Sequence, residues 1–315
     1  MDNLSKYQLN RFFKELSSIS KEACDNEAAA IKGGGTVMPT RLQGSQSYTV
    51  QVGDETNALI VQFRHPNYPL DVNLQVAARE TYGPLVPRCQ HLERRLDPLH
   101  VYIMDDVSGE ALLTSRYALQ RLENFHLLKQ TVQDFAVFSA FAWHRRPTSM
   151  PSFSKESIQS DYSSRLRHGY PMVINHGDLL ENNIHVDVQT GHLAGIVDWR
   201  DAKVGPFATQ LWGLENILGI RGSTGMRFHS RHSELRQLFW QTLDEEIGDE
   251  SEGFREAIRT ARMVGLFLAN GDFADLPVDE RERDLAVLES TVSQLPDIGL
   301  WTSGGGGEHF AVHIS

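Results

Sequence analysis

The sequence predicts an α+β fold in two lobes, a small N-terminal lobe built on an antiparallel sheet and a larger, mostly helical C-terminal lobe. Three observations predict it. Apolar runs of strand length crowd into residues 36–104, at Thr36 to Leu42, Tyr48 to Val52, Leu59 to Arg64 and His100 to Met104. From Tyr117 to Trp143 the apolar residues recur instead every three or four positions, through Leu119, Leu122, Phe125, Leu128, Val132, Phe135, Phe138 and Phe141. Between these regions, Asp105 to Gly109 breaks both patterns with charge and glycine. The expected boundaries are therefore 1–104 for the small lobe with its leading helices, 105–109 for a hinge, 110–302 for the large lobe and 303–315 for a flexible tail.

Each element has its own signal. Leu9, Phe12, Phe13 and Leu16 lie near helical spacing, so Leu4 to Ala30 reads as one or two helices, and Gly33-Gly34-Gly35 ends them as a connector. Helical spacing resumes over Val72 to Tyr82, with Asp71 placed as an N-cap and Pro84 and Pro87 beyond its end. In the large lobe the stripe from Tyr117 to Trp143 is core, Pro147 to Ser154 is a loop, and Met172 to Ile174 is a strand. Further helices are expected at Gln210 to Leu218, Glu252 to Leu268 and Glu280 to Leu295.

Composition narrows the function classes. A formal net charge of −11 over 315 residues argues against a nucleic-acid partner, and the basic pairs Arg94-Arg95 and Arg145-Arg146 are too short for a phosphate-tracking patch. No apolar run is long enough to span a bilayer, and the first residues lack the apolar core of a signal peptide, so the expectation is a cytoplasmic protein without a membrane partner. Cys24 and Cys89 are too few for a disulfide framework.

The chemistry concentrates in His-Gly-Asp-Leu-Leu-Glu-Asn-Asn-Ile, from His176 to Ile184, and in Ile-Val-Asp-Trp, from Ile196 to Trp199. Ile184, Val186 and Val188 alternate with polar residues, a turn follows at Gln189 to His192, and Leu193 to Val197 returns as an apolar run. An antiparallel hairpin of this kind puts Asn183 and Asp198 side by side at its open end, with Asp178 one loop away. Two hard oxygen ligands suit Mg²⁺, which completes its coordination with waters and nucleotide phosphates, and a carboxylate beside it can deprotonate a hydroxyl.

His-Gly-Asp-x-x-x-x-Asn followed by Asp-Trp resembles the aminoglycoside phosphotransferase and choline kinase family, and is similar to the protein-kinase catalytic loop. Gly205-Pro206 matches the family pattern too, and Ser47 to Thr49, Val61 to Arg64 and Trp212 to Gly219 look like a fungal branch. The resemblance implies a bilobal protein-kinase-like fold, with Asp178 as the catalytic base and Asn183 and Asp198 holding Mg²⁺. It implies that Trp199 replaces the aromatic residue of Asp-Phe-Gly. His176 joins the catalytic pair through the motif, with loop orientation as its expected part.

The same resemblance assigns nucleotide contacts in the small lobe, with ATP the expected cofactor and GTP the alternative. Gly44, Ser45 and Ser47 belong to the turn that covers the phosphates, Gly44 allowing close backbone approach. The strand cation that grips the phosphates is replaced either by Gln62 or, one alternation further, by Arg64; Arg64 is favoured for its bidentate guanidinium. Asp71, with Glu80 as the alternative, would orient that cation, and the hinge from Asp105 to Val107 would meet the base edge, with Met104 against the base. The partner implied is a small-molecule hydroxyl acceptor, with Trp212, Glu215, Trp240 and Asp272 as candidate lining.

Two function classes therefore stand. One is a nucleotide-dependent small-molecule phosphotransferase. The other is a nucleotide-binding pseudokinase acting as an interaction or regulatory module, motivated by the missing strand lysine and the single-glycine turn. Protein kinase activity is disfavoured, because Trp199 stands where Phe-Gly would be and no Ala-Pro-Glu segment follows.

Overall fold

Alternation in Leu59–Arg64 makes this run β3, the middle strand of a five-stranded antiparallel sheet whose order is β1-β2-β3-β5-β4. Its companions are β1 (Val37–Pro39), β2 (Ser47–Val52), β4 (Cys89–Leu92) and β5 (His100–Asp105). The computed structural model describes residues 3–16, 18–54, 57–93, 95–146, 170–248, 251–270 and 277–295. Arg94, Asp272, the loop expected at 147–154 and the glycine tail lie outside the described residues.

One face of the sheet presents Tyr48, Val50, Val61, Phe63 and Val101, all buried against Phe12 of α1 (Asn3–Glu15) and Cys24 and Ala28 of α2 (Lys21–Lys32). Ser20 caps α2 through the Ala23 N–H, and Gly33, at φ +83°, ends it. The other face carries Ser47, Thr49, Ile60, Gln62, Arg64, Tyr102 and Met104, since cross-strand partners Ser47 and Arg64, Thr49 and Gln62, Gln62 and Tyr102, and Ile60 and Met104 share a side. Helix α3 (Val72–Tyr82) follows, its Leu74 N–H capped by Asp71 at 3.0 Å.

Beyond β5 the chain crosses Asp106 to Gly109 and enters β6 (Glu110–Ala111). Gly109 has φ +86°, and a Cβ there would lie 2.5 Å from the Val186 carbonyl oxygen, so only glycine fits. The expected helix from Tyr117 to Trp143 is two helices, α4 (Leu112–Leu119) and α5 (Phe125–His144). The break is a turn closed by Asn124 Nδ2 donating to the Ala118 carbonyl at 2.8 Å, which leaves Leu122 exposed although it fits the stripe. Phe125, Leu128, Val132, Phe135 and Phe138 of α5 are buried.

Among the described residues the large lobe then forms three small sheets. β7 (Met172–Asn175) pairs with β10 (Lys203–Pro206), and β6 pairs with β8 (Ile184–Val186), which pairs with β9 (Leu193–Ile196). The expected helix Gln210 to Leu218 is a 3₁₀ turn, Thr209–Gly213, running into the short α6 (Leu214–Leu218). A hairpin of β11 (Gly219–Gly222) and β12 (Gly225–Phe228) follows, and then α7 (His232–Ile247), α8 (Glu252–Asn270) and α9 (Val278–Val292). Helix α7 packs on α5 through Phe239 and Phe135, with ring centroids 6.0 Å apart. A Cβ at Gly265 of α8 would meet the Thr209 carbonyl oxygen at 1.7 Å, so this glycine lets α8 lie directly on the 3₁₀ turn. Among the described residues no helix is long and apolar enough to cross a membrane.

Candidate active site

The β8–β9 hairpin closes with Ile184 opposite Ile196, and the Val197 N–H donates to the Asn183 carbonyl at 3.0 Å. Asn183 and Asp198 therefore sit at the same open end. Asp198 holds left-handed backbone angles, φ 59° and ψ 63°, an unfavourable conformation for a residue with a Cβ and one that clusters at functional sites.

His176 fixes the loop between β7 and β8. It is fully buried; its Nδ1 accepts from the Asp178 N–H at 3.2 Å and its Nε2 donates to the Val197 carbonyl at 2.8 Å. Those two bonds specify the neutral tautomer, and burial pushes the imidazole pKa down. The ring thus joins Asp178 to the residue before Asp198 from a fully buried position. Its own N–H donates to Gln210 Oε1 at 3.0 Å, and Gln210 Nε2 donates to the Tyr82 hydroxyl at 2.8 Å. Trp199 packs edge-on against His176 at 4.6 Å and lies 5.2 Å from the Tyr82 ring, so α3 is braced on the loop through an aromatic stack. Gly177, at φ +84°, passes so close to the turn after Trp199 that a Cβ would be 2.1 Å from the Asp201 carbonyl oxygen.

Asp178 emerges from this scaffold with its carbonyl and Oδ2 both accepting from Asn183 Nδ2, at 2.7 and 3.0 Å. Burial first, and then the charges of Asp198 and Asp201, push its carboxyl pKa up to about 6, against the pull of Asn183 and Arg200. Asn183 Oδ1 accepts from Asn182 at 2.7 Å and keeps a second lone pair. Among the described residues no three His, Cys, Asp or Glu side chains converge as a metal cluster. A pair of oxygens from Asn183 and Asp198, beside a carboxyl raised by burial and by its carboxylate neighbours, fits a hard cation that takes its remaining ligands elsewhere.

On the small-lobe side, both alternatives for the strand cation face this cluster. Arg64 is 2% exposed, and its Nη1 lies 3.9 Å from Asp198 Oδ1. Gln62 braces it by accepting from Arg64 Nη1 at 3.0 Å while donating to Thr49 Oγ1 at 3.1 Å, and Arg64 Nε donates to the Tyr68 carbonyl at 2.9 Å. Asp198, not Asp71, is the acid that meets this arginine. The Asp71 carboxylate is spent on the α3 N-terminus, and Glu80 is exposed.

The turn between β1 and β2 is braced by a residue that the sequence did not single out. Buried Gln43 donates through Nε2 to the Thr49 carbonyl at 2.8 Å and accepts from the Thr49 N–H at 3.0 Å, as a strand backbone would. Gly44 is exposed and has no left-handed φ; a Cβ there would meet Ser47 Oγ at an ordinary 3.6 Å, so its conformation does not require glycine. Ser45 is exposed, while Ser47 is buried opposite Arg64. Gln46 reaches across to the large lobe, where its Oε1 accepts from Arg200 Nη1.

At the expected hinge, Asp105 is the last residue of β5, and its carboxylate is held by Arg88 Nε at 2.9 Å. Met104 shares the site-facing side of the sheet, and Val107 fills the space that the missing side chain of Gly195 leaves. A cavity of about 410 Å³ opens beside the hinge, lined by residues including Leu59, Arg79, Arg88, Asp106 and Ala194, without reaching Asp178. Of the candidate acceptor residues, Glu215 is 3% exposed and clamped between Arg236 Nη2 and Arg262 Nη2. It cannot line a pocket in this arrangement. Trp212 is buried as well, and Trp240 is part-buried against Phe239 with its ring near Arg262.

A family model described as the phosphotransferase enzyme family (APH) matches residues 40–227, more than half of the chain. The chain belongs to this family. Among solved structures, an amicoumacin kinase, hAmiN, in complex with AMP-PNP, Ca²⁺ and Ami aligns over 88% of this chain and 96% of its own, at 15% identity and a TM-score of 0.54. A microcompartment-associated aminopropanol kinase aligns over 85% and 97%, at 13% identity and a TM-score of 0.50. The fold of this phosphotransferase-family chain is thus the protein-kinase-like one, and the matched residues contain the whole cluster from Arg64 to Asp201. A comparison with curated proteins finds no match.

Proposed function

We propose that the protein transfers the γ-phosphoryl group of a nucleoside triphosphate, ATP in the first instance, to a hydroxyl of a small molecule. The observation that carries this reading is the junction at Asn183, whose amide holds Asp178 while its backbone carbonyl holds the strand leading to Asp198. In this reading Asp178 is the base. With a carboxyl raised to about 6 it is ionised at neutral pH yet basic enough to take the proton of an aligned hydroxyl. Asn183 keeps that carboxylate pointed at the acceptor, and His176 holds the loop that carries it. Asn183 and Asp198 would hold Mg²⁺, which supplies neutralisation of phosphate charge when bound. Arg64 adds a fixed positive charge at the Asp198 end of the cleft. The nucleotide would lie between the Ile60, Gln62 and Met104 face of the sheet and the hinge at 105–109, with Ser45 near its phosphates.

Family membership, together with the kinase activities in the names of hAmiN and the aminopropanol kinase, supports the reaction class; AMP-PNP and Ca²⁺ in the hAmiN complex support a nucleotide and a divalent cation. The test is nucleotide consumption, with ATP and GTP in parallel, read with mass spectrometry across a panel of hydroxyl-bearing metabolites. Phosphorylated product from wild type and none from Asp178→Asn is expected. Equal inertness of the two over a broad panel would sink the proposal.

One observation favours the pseudokinase reading. Arg64, in place of the strand lysine, already spends Nε on Tyr68 and Nη1 on Gln62. Under that reading calorimetry records MgATP binding while every acceptor fails, and measured transfer removes it.

A further inference from the structure

Arg200 follows the Asp-Trp pair directly and occupies the turn Trp199–Asp201 at the mouth of the cluster. Its side chain is 29% exposed, against 2% for Arg64. Nε lies 3.0 and 3.1 Å from the two carboxylate oxygens of Asp201, Nη2 pairs with the same group, and Nη1 donates to Gln46 Oε1. Gln46 belongs to the turn between β1 and β2, and its carbonyl accepts from the N–H of His65, the residue after Arg64, at 2.9 Å. Arg200 therefore ties the turn above the cleft to the segment that carries Asp198.

The charges around it show what a second cation can do there. Asp178, Asp198 and Asp201 interact electrostatically with Arg200, and Asp198 lies beside Arg64. Three carboxylates face two guanidiniums, so the protein groups alone leave the mouth of the cluster net negative, and a guanidinium that can turn toward a phosphate favours its approach. Arg64 is poorly placed to do so, being buried and engaged by a backbone carbonyl and by Gln62. The Nη1 of Arg200, like that of Arg64, is engaged by the neutral amide of a part-buried glutamine, but on a side chain that is far more exposed, where a phosphate oxygen can reach it and outcompete the glutamine because its hydrogen bond is charge-assisted.

We infer that Arg200 is the residue that grips the terminal phosphate: on nucleotide binding its Nη1 leaves Gln46 for a γ-phosphate oxygen, while Asp201 keeps the guanidinium oriented. The inference rests on the phosphotransfer reading. It gives the chain, in cis, an arginine aimed at the group whose oxygens carry the transferred charge. Gln46 then acts as a latch that shields the guanidinium in the free protein and releases it.

The test is calorimetry of AMP-PNP and of ADP, each with Mg²⁺, on wild type, Arg200→Gln, Arg200→Lys and Gln46→Ala. A charge-assisted contact to the third phosphate predicts about tenfold or greater loss of AMP-PNP affinity in Arg200→Gln, with ADP affinity held within about threefold. Gln46→Ala, which removes only the competitor, should bind AMP-PNP at least as tightly as wild type. Should Arg200→Gln melt below the working temperature, Arg200→Lys must still show the selective loss, because it keeps the charge and loses the fork. Equal loss of both nucleotides, no loss of either, or a Gln46→Ala variant weakened like Arg200→Gln would overturn the assignment. Failure of wild type to bind either nucleotide would overturn the phosphotransfer reading with it, whereas intact turnover in Arg200→Gln removes this inference alone.

Discussion

Asp178→Asn separates the cost of burying a carboxylate from the use made of it. Burial and the charges of Asp198 and Asp201 raise the Asp178 carboxyl from an ordinary 3.8 to about 6. At 1.36 kcal/mol for each tenfold change in proton affinity, holding this group ionised costs the folded protein about 3 kcal/mol above neutral pH. The asparagine amide keeps an oxygen for Asn183 Nδ2, so the loop contact survives; loss of the charge in that hydrogen bond reduces the net gain to about 1–3 kcal/mol. The sign follows from linkage. The folded carboxyl binds its proton more tightly than the unfolded one, so its contribution is fully favourable below 3.8 and is lost as pH rises through about 6. The variant should match wild type near about pH 4, exceed it increasingly as pH rises through about 6, and hold that margin at about pH 8, in urea midpoints measured without Mg²⁺ or nucleotide. Phosphoryl transfer should fall by about 10²–10⁴-fold, the scale of general-base catalysis. A stability difference that does not change with pH, or a variant destabilised at about pH 8, would refute the electrostatic account. Undiminished transfer would refute the base.

Other perturbations follow from the same geometry. Gly177→Ala must fit a Cβ 2.1 Å from the Asp201 carbonyl oxygen at φ +84°, and should cost at least about 2 kcal/mol in thermal melts together with transfer activity. Gly44→Ala, with an ordinary 3.6 Å contact and no left-handed φ, should stay within about 0.5 kcal/mol of wild type in the same melts. Glu215→Ala leaves Arg236 and Arg262 buried without their shared counter-charge, and a loss of about 3–5 kcal/mol in chemical denaturation is expected. Burial pushes the His185 imidazole from 6.5 down to about 4, so its contribution is complete above 6.5 and is lost as pH falls through about 4, the opposite limb to Asp178. His185→Leu should flatten that acid limb of stability against pH.

Some of this molecule was legible one residue at a time. β3 at Leu59–Arg64, α3 at Val72–Tyr82 with its Asp71 cap, and the β8–β9 hairpin follow the sequence signals because each depends on local interactions: alternation, an N-cap, a turn. Where the same signals failed, a contact from elsewhere intervened. Leu122 fits the stripe of α5 yet is exposed, because the chain turns at Gln120 to Asn124. The β11–β12 hairpin has no local sequence signal, because Gly219, Gly222 and Gly225 carry no alternation; a Cβ at Gly225 would lie 2.7 Å from the Ala286 carbonyl oxygen, so α9 decides that residue.

The candidate site divides in the same way. Sequence by itself determined the order His176, Asp178, Asn183, Asp198 and the hairpin that joins its ends, since a period of two and a short turn leave one way to pair them. It also limited the strand cation to Gln62 or Arg64, which share a face. Tertiary structure alone decided that Arg64 meets Asp198 with Gln62 as its brace, that Asp71 serves α3, that Glu215 is a buried counter-ion, and that Arg200 reaches Gln46 across 154 residues of chain. The reason is electrostatic and geometric: a long charged side chain takes the partner that folding brings within hydrogen-bond reach, and no local pattern encodes which distant residue that is.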